Sequence, residues 1–154
     1  MSNNERKLDI GCGPEIAEGY EGMDRVAFEG VQHVHDIEDV PWPFDNESFD
    51  VVRASHVLEH MRDLINVMNE IQRVLKPGGV LKIIVPLAMD AQGNWHGEAF
   101  QDPTHVRFFV PDTFTYFCGR QETIMYGIKR WELCTYSEKG YEAHVLLRKP
   151  DDAS

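Results

Sequence analysis

Residues 80–86, VLKIIVP, are apolar at nearly every position and directly follow a helical stretch, and that pairing leaves few architectures open. A strand of this composition is the kind buried on both faces of a parallel sheet, where crossover helices supply the covering layers. The segment before it, DLINVMNEIQRVLKPGG, places Leu64, Val67, Met68, Ile71, Val74 and Leu75 on one helical face, and Lys76, Pro77 and Gly78 supply the stop.

Other runs fit the same plan. Leu8 and Ile10 close a short strand that stops at Gly11 and Gly13; GYEGMDR gives a second strand ending near Asp24, VQHVHDI a third ending near Asp36, and FDVVRAS a fourth. PWPFDNESF, with two prolines, is a loop. Near the end, KRWELCTYSEKGYEAHVLLRKP holds two strand-like runs about SEKG and reads as an antiparallel hairpin. Strands joined by crossovers and finished by a hairpin predict an α/β sheet with an antiparallel edge. Between the fifth strand and the hairpin, residues 87–110 lack clear periodicity over a length that compact domains reserve for lids or binding loops. PDTFTYF is expected to close that loop as a helix started by Pro111 and Asp112, with Phe114, Tyr116 and Phe117 in the core.

The chain has 154 residues, the size of one domain, so 1–154 is read as a single unit. No apolar run is long enough to span a membrane and Met1 to Lys7 resembles no export signal, so the expected location is cytoplasmic. Cys12, Cys118 and Cys134 are odd in number without a CxxC pair, which points to reduced thiols. A net charge of −11, from 26 acidic and 15 basic residues, disfavours a nucleic-acid partner, since phosphate contacts come largely from Lys and Arg.

In an open parallel sheet, ligands settle beyond the carboxyl ends of the strands, and Gly11, Gly13, Asp24, Asp36 and Ser55 all fall there. A dinucleotide fold calls for a third glycine at position 16, where Ile16 stands, and for a full helix whose N-terminus holds the diphosphate. Only ten residues separate Gly13 from Asp24, so that helix is reduced to a turn or two. A ligand with ribose hydroxyls for Asp24 and an adenine edge for Asp36, and no phosphates, suits the frame better.

LDIGCGP, HDIEDVPWPFDNESFDVVRASHVLEH and VLKPGGVLKIIVP together resemble the first, middle and late motifs of class I S-adenosylmethionine-dependent methyltransferases, in particular the small type-11-like group. The likeness covers about residues 7–86 and implies a Rossmann-like, doubly wound sheet of about seven strands, the last antiparallel. It implies S-adenosylmethionine as cofactor, with Asp9 and Gly11, Cys12 and Gly13 at its methionine end and Asp24 on the ribose hydroxyls. Asp36 and the Ile37 backbone would take the adenine, and Ser55 and His56 would face the methyl. The sequence departs from the family at Glu15, where a glycine is usual, and has little chain before Leu8 to cover the cofactor.

His56, Glu59 and His60 spell H-x-x-E-H, a zinc pattern of inverted metallopeptidases. With no third ligand identified, it reads here as the strand-to-helix corner of the methyltransferase likeness, and no metal is expected. Asp9, an acid within an apolar strand, either binds ligand or ties down the glycine loop. His56, His96 and His105 are the candidate proton acceptors, the latter two in the presumed lid with Trp95, Asp102, Phe108 and Phe109. The expected activity is methyl transfer to a small-molecule or protein acceptor. A cofactor-binding subunit without its own activity, as homodimer or with a partner, is the alternative, and an NAD-dependent oxidoreductase fits less well.

Overall fold

A computed structural model describes residues 4–119 and 124–152. Seven strands, β1 (Lys7–Ile10), β2 (Glu21–Asp24), β3 (His33–Val34), β4 (Phe49–Ser55), β5 (Leu75–Pro86), β6 (Glu132–Lys139) and β7 (Glu142–Arg148), form one sheet in the order β3-β2-β1-β4-β5-β7-β6. The first five run parallel, and β7 is antiparallel to both β5 and β6. Beside the sheet stand helices α1 (Leu64–Val74), the short α2 (Glu98–Gln101) and α3 (Pro111–Tyr116), and a 3-10 turn at Leu58–His60.

The α1 helix starts where Asp63 Oδ1 accepts the Asn66 backbone N–H at 3.1 Å, a side-chain N-cap. It ends at Val74. Leu75, expected on the helical face, is extended and pairs with Phe49, because Pro77 biases the residue before it away from helical dihedrals and the strand begins early. Leu75 still reaches the core, fully buried, from β5. The third strand is shorter than expected and leaves Asp36 two residues beyond its end. The hairpin turns at Gly140 and Tyr141, with Gly140 at φ +60° and SEK inside β6.

Sheet side chains from β1, β4, β5 and β7 that point to one face join α1, Phe109, Phe114, Phe117 and Trp131 in one hydrophobic core. The other face is different. Arg53, Lys82, Ile84, His144 and Leu146 line a shallow groove of about 310 Å³ there, and Lys82 is exposed in the middle of β5. The expectation that β5 is buried on both faces therefore fails. Its cause is topological: among the described residues no helix separates β1 from β2 or β2 from β3, so that face has no helical layer. The loop after β1 folds over its edge, with Ile16 packed above Gly22. Tyr116 is 40% exposed, unlike its buried neighbours Phe114 and Phe117, since α3 presents it away from the core.

Residues 87–110 are more regular than their sequence suggests. Leu87 bridges to Phe109 and Met89 to Trp95, and Asp90 accepts hydrogen bonds from the backbone N–H groups of Gln92 and Asn94.

Candidate active site

A cavity of about 770 Å³ opens beyond the carboxyl ends of β1, β2 and β4, lined by Gly11, Asp24, Asp36 and Ile37, by His56, Val57, His60 and Met61, and by Pro103, Thr104 and Val106 of the long loop. Gly11 and Gly13 both stand at φ +59°. A Cβ on Gly11 would lie 2.4 Å from Val57 Cγ2, so the glycine lets β1 turn beneath the end of β4. At Gly13 a Cβ would meet nothing within 4 Å, which leaves open space against bare backbone.

Asp24 is held in place from two sides. One oxygen accepts the Gly13 N–H and the other the Val26 N–H, both at 2.9 Å, so the carboxylate fastens the glycine turn and keeps a further lone pair on each oxygen. Asp36 is exposed and accepts from Glu38 N at 2.9 Å, while Ile37 beside it is buried and its carbonyl accepts the Trp42 indole N–H. Glu38 in turn takes the N–H groups of Arg62 and Asp63, joining the rim near Asp36 to the segment before α1.

His56 follows β4 at φ +52°, a left-handed conformation uncommon outside glycine that strain-tolerant functional corners adopt. It lines the cavity, with Nε2 2.8 Å from Glu142 Oε1 at the start of β7.

Not all the expected residues converge. Asp9, 1% exposed, accepts the Ala17 N–H at 3.0 Å and lies 3.2 Å from Arg53 Nη1, so it ties down the glycine loop from behind. Ser55 is not among the lining residues, and its partner across the sheet is Ile84 on the open face. Cys12 is half-buried, and burial, then the charges of Asp9 and Asp24, push its thiol up to about 11, which keeps it protonated. His96 sits outside the lining, paired with Asp90 at 3.0 Å. His105 lies one layer behind the wall, with its Nδ1 2.8 Å from the Ala99 carbonyl and its ring edge-on to His60 at 4.9 Å.

Sequence reasoning missed Arg25, Glu38, Arg62 and Thr104 at the cavity. Glu38 stands two residues after Asp36 and was open to the same argument; Thr104 arrives through a long-range contact that no local pattern announces.

The loop wall is fixed to the 3-10 turn. The Glu59 carbonyl accepts N–H groups from Val106 and Arg107, and the Arg107 guanidinium donates to the carbonyls of Met61 and Arg62. Beneath these contacts the Glu59 side chain is 1% exposed, and desolvation pushes its carboxyl above the usual range.

The family described as "Methyltransferase domain" matches residues 2–118, and the chain belongs to it. Among curated proteins, the chain is 25% identical over 166 residues to a sterol 4-C-methyltransferase of Caenorhabditis elegans, covering 92% of this chain and 48% of that one. It is 49% identical over 45 residues to the demethylmenaquinone methyltransferase of Chlorobaculum tepidum, 29% of this chain and 19% of that one. The chain thus spans about half or less of the length of these relatives. Among solved structures, a putative methyltransferase from Bacillus halodurans superimposes with TM-score 0.66 at 14% identity, over 97% of this chain and 94% of that one. The [4+2]-cyclase SpnF does so with TM-score 0.66 at 18% identity, over 95% and 74%. The fold is the one these structures share.

Proposed function

We propose that the chain binds S-adenosylmethionine in the 770 Å³ cavity and catalyses transfer of its methyl group to an acceptor. One observation carries this reading: the left-handed glycine turn, the doubly anchored Asp24 and the Asp36–Ile37 pair frame one cavity at the carboxyl ends of neighbouring parallel strands. The residues fit the cofactor. Open space at Gly13 receives a group against backbone, and Asp24 retains acceptor capacity for two vicinal hydroxyls. Asp36 stands at the rim to accept an exocyclic amine, with the Ile37 backbone beside it.

Bound there, the cofactor supplies a methyl carried on a cationic sulfonium, already an activated electrophile. What the chain contributes is placement. The His56 corner and the Thr104–Val106 wall border the remaining volume, where an acceptor atom is held in line. Where the acceptor must lose a proton, His56 is the base that faces the cavity, while His96 is paired with Asp90 outside the lining and His105 on Ala99 backs the wall. The relatives' names, for sterol and demethylmenaquinone, favour a small-molecule acceptor over a protein.

The test is calorimetric. S-adenosylhomocysteine should bind the chain, NAD should not, and Asp24→Ala should weaken binding by about 1.5–3 kcal/mol in a folded protein. Unchanged affinity in folded Asp24→Ala removes that carboxylate from the site.

A second reading, a cofactor-binding subunit that works only with a partner, is favoured by the bare face of the sheet. One structural neighbour of 14% identity is a methyltransferase from Haloferax volcanii in complex with its Trm112 activator. Methyl transfer by the purified chain alone to any component of a cell extract would set this reading aside.

A further inference from the structure

The Glu59 side chain poses a problem that methyl transfer does not solve. Its Oε2 is buried and has no hydrogen-bond partner among the described residues. A buried carboxylate oxygen left in this way is costly, and native proteins satisfy such groups with a donor, a water or a cation. The other oxygen lies 3.7 Å from His60 Nε2 and 3.9 Å from His56 Nδ1, beyond hydrogen-bond length.

The protons on the imidazoles of His60 and His105 can be assigned from their partners. His105 Nδ1 faces the Ala99 carbonyl at 2.8 Å, and a carbonyl only accepts, so Nδ1 carries the proton. The Thr104 hydroxyl donates to Asp102 Oδ1 at 2.6 Å and therefore accepts from His60 Nδ1 at 3.0 Å; that nitrogen also faces the Thr104 carbonyl. Both rings thus have Nδ1–H tied to oxygen and keep the Nε2 lone pair, His60 Nε2 facing Glu59 Oε1 and His105 Nε2 facing Asp102 Oδ2, each at 3.7 Å. This is how metal-binding histidines are oriented, with the far N–H fixed by a carbonyl or a hydrogen-bonded chain that ends on a carboxylate.

We propose that Glu59, His60 and His105 bind a divalent cation, zinc by the character of their donor set. Their ligand atoms already lie within 4.8 Å of one another. Bonds of about 2.0–2.1 Å in a tetrahedron set edges of about 3.3 Å, so the ligand atoms close by up to about 1.5 Å around the ion. Three protein ligands leave the fourth position to water. The set differs from the one the H-x-x-E-H pattern suggests: His56 is turned to Glu142, and the third ligand comes from the loop after α2. The ion would clamp that loop to the 3-10 turn behind the cavity wall, whether or not the cavity holds S-adenosylmethionine.

The test uses the full chain without an affinity tag, stripped with EDTA and dialysed against zinc, with bound metal measured by mass spectrometry and stability by thermal melting. One zinc per chain and a melting temperature several degrees above the EDTA sample are expected, because a ligand of the native state stabilises it by mass action. Glu59→Gln and His105→Gln keep side-chain size and should melt near the stripped wild type, with no gain from zinc. Wild-type protein that takes up no zinc, or variants that take it up as the wild type does, overturns the site. Should either variant fail to fold, cobalt in the wild-type protein decides. Visible bands of a four-coordinate nitrogen and oxygen site support the proposal, whereas a thiolate charge-transfer band, which would place the ion on Cys12, Cys118 or Cys134, or no bands at all, ends it.

Discussion

Two glycines with the same dihedral do different work, and substitution separates them. Gly11→Ala meets both a left-handed φ and a 2.4 Å contact with Val57, so it should destabilise the fold by about 2–4 kcal/mol in urea denaturation. Gly13→Ala has only the φ cost, near 1–2 kcal/mol, and its added methyl projects into open space, so it should melt close to wild type yet bind S-adenosylhomocysteine more weakly by calorimetry. Equal losses of stability would show that Gly13 is also packed. Asp90 gives a pH signature at the same scale. The Asn94 N–H above all, with the Asn94 amide, His96 and Gln92, holds its carboxyl down at about 2, against an ordinary 3.8. A depressed carboxyl stabilises the fold above the unfolded value and loses that contribution as pH falls through the folded one, here between about 4 and 2. The stability gap between wild type and Asp90→Asn should therefore be present at pH 6 and close as pH approaches 2; a gap constant from pH 6 to 2 would detach Asp90 from the turn.

Helix α1 shows which parts of an element are legible beforehand. Its apolar stripe and its end before Pro77 follow from local rules, and they were readable in the sequence. Its tie to the loop before β4 was not. Glu70 accepts the Trp42 N–H at 2.7 Å and pairs with Arg73 at 2.6 Å, and Arg73 caps the carbonyls of Trp42 and Phe44. Nothing in a helical period identifies a partner some thirty residues away. Glu70→Ala breaks a largely buried pair and should cost about 3–5 kcal/mol. Asp63→Ala removes only a cap at the helix start and should cost about 1 kcal/mol. Both are read from urea midpoints, and the ranking is the test. The glycine turn, Asp24 and Asp36 were likewise legible, because strand ends and spacing announce them. The surroundings of Asp9, His96 and His105 were not, because each is decided by a group it meets only after folding: the Ala17 N–H, the Asp90 carboxylate, the Ala99 carbonyl.

At the scale of the whole molecule, one core on one face of the sheet joins every strand of the center to α1 and α3, while the cavity sits at the strand ends, walled partly by a loop that returns from β5. That loop is hydrogen-bonded in two separate parts. Residues 90–96 close on themselves through Asp90 and the Met89–Trp95 bridge, outside the cavity lining. Residues 103–107 are fastened to the Leu58–Arg62 region through the Glu59 carbonyl and Arg107, and three of them line the cavity. A ligand in the cavity stabilises what it touches and what is hydrogen-bonded to it, and leaves independent units as they were. On adding S-adenosylhomocysteine, hydrogen exchange should slow in 11–13, 24–26 and 36–38, and in 57–62 together with 103–107. Exchange in 90–96 and in the β6–β7 hairpin should stay unchanged. Uniform slowing from 87 to 110 would mean that the loop closes as a single lid. Slowing in 57–62 without 103–107 would mean that the hydrogen bonds at Glu59 do not couple the loop wall to the floor of the site.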